Sequence, residues 1–197
     1  MKRREVLKGL GLSMGYVVAA PAVLSLLQSC KNHTSATIEW NPIFLTEKQG
    51  VILTKLVDLI IPKTTDSPGA VDLNVHKFID AYANEVMTIE NQEWFKKGME
   101  AITAVFGKNT KEIKTEDYNV FLSNYLKPNV VLDNVSDEKE KMILSALLSI
   151  RGLTAWAFQT SEEIGEKVMV YDPVPGVFNG CISLQDVTGG KGWSINE

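Results

Sequence analysis

Apolar residues recur at three- and four-residue intervals along most of the chain, and those intervals predict helices. The first opens at Thr46, which pairs with Gln49 as a capping box, and buries Ile52, Leu53, Leu56, Val57 and Ile60 before Pro62 ends it. Val75, Phe78, Ile79, Tyr82 and Val86 mark the inner stripe of a second helix, with His76 beside the stripe and on the surface. A third spans Gln92 to Phe106, turns Trp94, Phe95, Met99, Ile102 and Phe106 inward, and stops at Gly107. A fourth runs from Asp117 to Leu126 with Tyr118, Phe121, Leu122 and Tyr125 inside, closed by Pro128. Ser136 caps the longest helix, through Met142, Ile143, Leu147, Ile150 and Leu153 toward Trp156 or Phe158. Its second half is apolar on both faces, which predicts a central position, with Arg151 either an ion-pair partner inside the bundle or an interface residue. Thr160-Ser161-Glu162-Glu163 reads as another capping box, opening a short helix with Ile164, Val168 and Tyr171.

Two stretches break this rhythm. Between the first two helices, Pro62, Pro68 and Gly69 with Thr64, Thr65, Asp66 and Ser67 predict a rigid, turn-rich loop. Asp66 would bond its own backbone, and Thr65, Asp66, Pro68 and Gly69 form a candidate partner-docking loop. Asp66 and Asp72 lack the alternating oxygen ligands of a calcium loop. From Asp172 onward, prolines and glycines exclude further regular structure, and Phe178 and Trp193 in that tail need something to pack against. The predicted fold class is therefore all-α: a single-domain irregular bundle of about six helices with a Gly/Pro-rich C-terminal tail.

The N-terminus has a different pattern. Arg3 and Arg4 precede an uncharged stretch, Gly9 to Leu27, which closes on Leu27-Gln28-Ser29-Cys30. This resembles a twin-arginine signal fused to a lipoprotein cleavage box, with residues 1–29 the signal peptide, Cys30 the lipidation site and 30–44 a lipidated tether holding His33. A retained membrane span competes with that reading, weakened by Gly9, Gly11, Gly15 and Pro21. The same glycines only faintly resemble a dinucleotide fingerprint, because no strand precedes them. Residues 45–197 then make up the helical domain.

Charge narrows the partners. The leader carries four basic side chains and one acidic, so the formal charge of −4 becomes −7 once it is removed. A mildly acidic surface argues against nucleic acid. No pair of histidines, cysteines or carboxylates falls at a zinc, di-iron or haem spacing, and no Walker loop, nucleophile elbow or strand-borne glycine fingerprint occurs. His33 and His76 are poorly placed for Ser-His-Asp catalysis. Carboxylate catalysis leaves no trace in spacing, but no catalytic, cofactor-binding or metal-binding residue is expected here. The twin-arginine route carries folded cargo, usually cofactor-loaded. A leader of that kind on a bundle with nothing to load suggests an escort for a larger subunit that lacks a signal.

The run from Leu45-Thr46-Glu47 through Asp58-Leu59-Ile60-Ile61-Pro62 and Thr65-Asp66-Ser67-Pro68-Gly69-Ala70 to Val75 and Phe78-Ile79-Asp80 resembles the gluconate 2-dehydrogenase subunit 3 family. Thr160-Ser161-Glu162, Tyr171-Asp172-Pro173-Val174-Pro175-Gly176 and Gly180-Cys181 are similar to its C-terminal portion, so the resemblance covers essentially the whole mature chain. It implies an all-helical, non-catalytic accessory subunit of a periplasmic, membrane-associated sugar or sugar-acid dehydrogenase. FAD is then expected in a large partner of the glucose-methanol-choline (GMC) oxidoreductase type, with a cytochrome c subunit as a possible electron acceptor. The small subunit would assist export of that partner through the Tat translocase, its assembly and its anchoring to the inner or outer membrane through lipid on Cys30. Cys181, without a mate in the mature chain, becomes either an inter-subunit disulfide or a buried unreactive thiol. A stand-alone lipoprotein that binds a small ligand or glycan is the rival reading.

Overall fold

The computed structural model describes residues 40–107, 113–127, 131–172, 176 and 181–194. Five substantial helices follow one another: α1 (Glu47–Ile60), α2 (Val75–Glu85), α3 (Ile89–Phe106), α4 (Thr115–Tyr125) and α5 (Glu138–Gln159). A short α6 (Leu184–Thr188), a 3-10 turn at Leu132–Asn134 and a π-helix at Glu163–Val168 complete the set. Among the described residues there is no strand, only an isolated parallel bridge between Val170 and Trp193. The all-α reading holds.

Local chemistry sets the helix ends. Thr46 and Gln49 form the predicted capping box at α1, with the Thr46 N–H donating to Gln49 Oε1 at 2.9 Å. α3 begins earlier than its apolar pattern because the Thr88 hydroxyl accepts from the Asn91 N–H. The cap of α5 is Asp137, not Ser136; its carboxylate accepts from the Glu140 N–H at 2.8 Å, and a negative charge suits a helix start better than a hydroxyl. The capping box expected at Thr160 does not form. The Thr160 and Ser161 hydroxyls donate backward, to the Trp156 and Phe158 carbonyls, so they close α5, and the π-helix follows without a side-chain cap. The tail also holds more order than its glycines predict: Ser183 caps α6, and Gly189 ends it in the left-handed region at φ 67°.

α5 is central. Ile143, Leu144, Ala146, Leu147 and Ile150 are buried on it, and it packs against α1, α2 and α3. Its length and apolarity would also suit a membrane span, yet here it is the core helix of the body. The α3–α5 contact is the tightest constraint. A Cβ at Gly98 would lie 2.5 Å from Ala146 Cβ and 2.8 Å from the Met142 carbonyl oxygen, so only glycine lets the two helices approach this closely. α4 closes one side through aromatic contacts, Phe106 to Tyr118 at 4.5 Å and to Phe121 at 4.8 Å. The Tyr118 hydroxyl is buried without a partner among the described residues, and burial pushes its pKa up to about 12.

α2 departs most from expectation. Its buried face is Val75, His76, Ile79, Asp80 and Ala83, while Phe78 and Val86 lie toward solvent. His76 is thus a buried residue and not a surface one. The inner face tolerates two polar side chains because residues 40–45 form a strap over it. The Asp80 carboxylate accepts from three successive strap N–H groups, Ile43 (2.6 Å), Phe44 (3.2 Å) and Leu45 (2.8 Å). Hydrogen bonds to a buried charge are each worth about 1.5–3 kcal/mol, so this carboxylate fixes where the chain joins the bundle.

Gly98→Ala is expected to lose about 1–3 kcal/mol of stability: the roughly 1 kcal/mol of helix propensity gained is outweighed by overpacking against backbone. Gly152→Ala, at a helical site with nothing within 4 Å of the added Cβ, should gain about 0.5–1 kcal/mol. Urea unfolding of both variants measures the contrast as midpoint shifts of opposite sign at constant m-value.

Candidate functional site

Beside the α3–α5 contact lies a groove of about 720 Å³. The last turns of α2 supply Tyr82 and Val86, the α2–α3 turn Met87 and Thr88, and the start of α3 Asn91, Trp94 and Phe95. Its floor on α5 is Ser145, Ser149 and Gly152, a file of small side chains at helical spacing that ends in Trp156. The small residues make room, and the aromatic residues wall it.

Those walls are unusually wet for their chemistry. Trp94 is 43% exposed, Trp156 50%, Val86 60% and the neighbouring Ile89 76%. Phe78, Tyr82 and Trp156 form one aromatic cluster, with centroid separations of 5.7, 5.5 and 6.1 Å. Lys97 Nζ sits 5.9 Å from the centre of the Trp94 ring. No lining residue is charged. A groove of this composition can hold apolar or aromatic groups and place a few hydroxyl and amide contacts, the character of a docking surface. The sequence reading placed Phe78, Val86 and Trp94 in the core; their exposure is the signal that composition and periodicity could not give. Arg151, on α5 next to Gly152, is exposed and makes no ion pair among the described residues, so it is not a partner inside the bundle.

The loop picked out by sequence lies elsewhere, ahead of the first turn of α2, about 15 Å along the helix axis from the groove. Thr65 and Asp66 are exposed at its tip, Pro68 is half-buried and Gly69 is buried. Asp66 is not the residue that ties the loop to itself. That role falls to Asp72, which accepts from the Gly69 N–H at 3.0 Å and lies 3.4 Å from Lys63 Nζ, and to Thr64, whose N–H donates to the Ser67 carbonyl. The Gly69 N–H first, with Lys63 assisting and partial desolvation opposing, holds the Asp72 carboxyl below its usual range.

Cys181 is exposed and forms no disulfide among the described residues. Arg3, Arg4, Cys30, His33 and Phe178 lie outside the described residues. Among the described residues, no group of three His, Cys, Asp or Glu side chains is placed to hold a metal ion. Trp193 meets Val170 through the backbone bridge and keeps 39% of its surface exposed.

A family model described as Gluconate 2-dehydrogenase subunit 3 matches residues 47–176. No curated protein and no solved structure matches. The matched range contains all five long helices, the loop and the groove, and stops short of Gly180-Cys181, so the C-terminal similarity drawn from that dipeptide is not part of it.

At Gly69 an added Cβ would meet the Lys63 backbone nitrogen at 2.7 Å. Gly69→Ala should therefore force the loop open, at about 1–3 kcal/mol, whereas Asp66→Ala at the exposed tip should change stability by less than about 0.5 kcal/mol. Thermal unfolding with limited proteolysis of the loop distinguishes them: early cleavage and a lowered Tm for the first, neither for the second.

Proposed function

Since the chain belongs to the gluconate 2-dehydrogenase subunit 3 family, we propose that it is the non-catalytic accessory subunit of such a dehydrogenase complex, docking its catalytic partner through the groove between α2, α3 and α5. The observation that carries this reading is the exposed aromatic wall. Trp94, Trp156, Phe78 and Val86 leave a large apolar area in water that packing among the described residues does not cover. Large side chains of this kind in a partly enclosed groove are the anchors on which subunit binding energy concentrates.

The partner in this proposal is a GMC-type flavoprotein that carries FAD and oxidises a sugar or sugar acid, passing electrons to a cytochrome c subunit or another acceptor. The small subunit supplies the address: Arg3 and Arg4 direct the pair to the Tat translocase, and lipid on Cys30 holds it at the periplasmic face of a membrane. The exposed thiol of Cys181 is available for a disulfide to the partner in that oxidising compartment. A second reading has one observation in its favour: 720 Å³ also suits a small organic ligand or glycan stacked on the tryptophans of a stand-alone lipoprotein.

Purification through a C-terminal tag separates the two. Recovery of a yellow flavoprotein with the wild-type chain, reduced at least about tenfold by Trp94→Ala with Trp156→Ala at unchanged helical circular dichroism, is the expected result. A lone monomer supports the ligand-binding alternative. Arg3→Lys combined with Arg4→Lys should leave both chains in the cytoplasm; normal export of the flavoprotein in that variant contradicts the escort role.

A further inference from the structure

The strap over α2 has two attachments of different chemistry. One is the Asp80 carboxylate, gripping the backbone of Ile43, Phe44 and Leu45. The other is Trp40, whose ring stands edge to face with the His76 imidazole, centroids 5.4 Å apart. Trp40 Nε1 and His76 Nδ1 are both buried, and neither has a hydrogen-bond partner among the described residues. His76 as a residue is 5% exposed.

We propose that Trp40 and His76 form a proton-operated clasp between the strap and α2, shut while the imidazole is neutral and opened when His76 takes a proton. In the neutral ring, Nδ1 can be a bare acceptor, and leaving one acceptor unmet is tolerable. Protonation makes both ring nitrogens donors and adds a charge, and the buried Nδ1–H then has no acceptor. The attraction of a cation for an indole ring is weaker than that penalty in a buried setting. Among the described residues no charge offsets it. On α2, Lys77 repels the cation, and Asp80, one turn along, is already taken up by three strap N–H groups. The strap residues Trp40 to Leu45 include no ionisable side chain. Among the described residues of α1, α3 and α5, which pack against α2, no charge acts on the ring. Burial, then Lys77, accordingly hold the His76 pKa below its ordinary value.

The sign follows from linkage. With the folded pKa depressed, the shut state is fully favoured above the ordinary histidine range and is lost as pH falls below about 6.5. Asp80 keeps its grip on Ile43, Phe44 and Leu45, so Trp40 alone lifts away and the first turn of α2 is uncovered. The bundle itself stays folded.

Fluorine NMR of the full chain labelled with fluorotryptophan tests this, because it reports separately on each of the four tryptophans without removing any; Trp40→Phe assigns the resonance. Between about pH 7.5 and pH 5 the Trp40 signal alone should move to a solvent-exposed position, with a midpoint below about 6.5 that matches the His76 ring-proton titration. His76→Gln should abolish the transition. A Trp40 signal that stays put overturns the proposal, as does movement of all four signals together. If His76→Gln does not fold, the wild-type comparison still decides: a Trp40 midpoint that differs from the imidazole midpoint overturns it.

Discussion

The close approach of α3 to α5 at Gly98 governs the rest of the architecture. With no side chain between them, Gly98 meets Ala146 and the Met142 carbonyl directly, and the buried rows of both helices interlock on either side. The next turns of α5 along the same flank carry Ser145, Ser149 and Gly152, too small to fill the space toward α2 and the start of α3. The outcome is a packed core adjoining an unfilled, aromatic-walled groove. One helix pairing sets both the packed core and the groove beside it.

Much of this was legible in the chain. Apolar spacing located five long helices and the centrality of α5, because a helix buried on several sides must be apolar on several sides. Thr46 and Gln49 announced the start of α1 through a purely local interaction. Non-local chemistry was illegible. The stripe on α2 was drawn through Phe78, Tyr82 and Val86, whereas the buried face runs through His76 and Asp80; nothing in spacing tells that a distant strap will satisfy a buried carboxylate. Thr160 and Ser161 had the composition of a helix start but serve a helix end, since a hydroxyl can bond forward or backward along the chain. Helical spacing predicts Phe78 and Trp94 in the core for the usual reason, and these are the places where that rule fails. Such failures fall preferentially where a surface is shaped for a partner.

Family membership and the groove bear on the same conclusion from different directions. The family match makes the chain a subunit of a dehydrogenase complex, and the groove is an exposed apolar surface, the kind that subunits bury on assembly. The docking loop favoured by sequence has a different physical character: Asp72, Gly69 and Thr64 knit it to itself, and its exposed stretch from Pro62 to Asp66 carries no large apolar side chain other than Pro62. Rigidity there orients α2 against α1. The apolar contact area lies at the other end of α2.

Hydrogen–deuterium exchange of this chain, alone and bound to the catalytic subunit, addresses the central claim most directly. The account predicts added protection in the segments spanning Tyr82 to Trp94 and Ser145 to Trp156, the walls and floor of the groove. Protection confined to the α1–α2 loop or the C-terminal tail, with the groove segments exchanging as in the free chain, would contradict it.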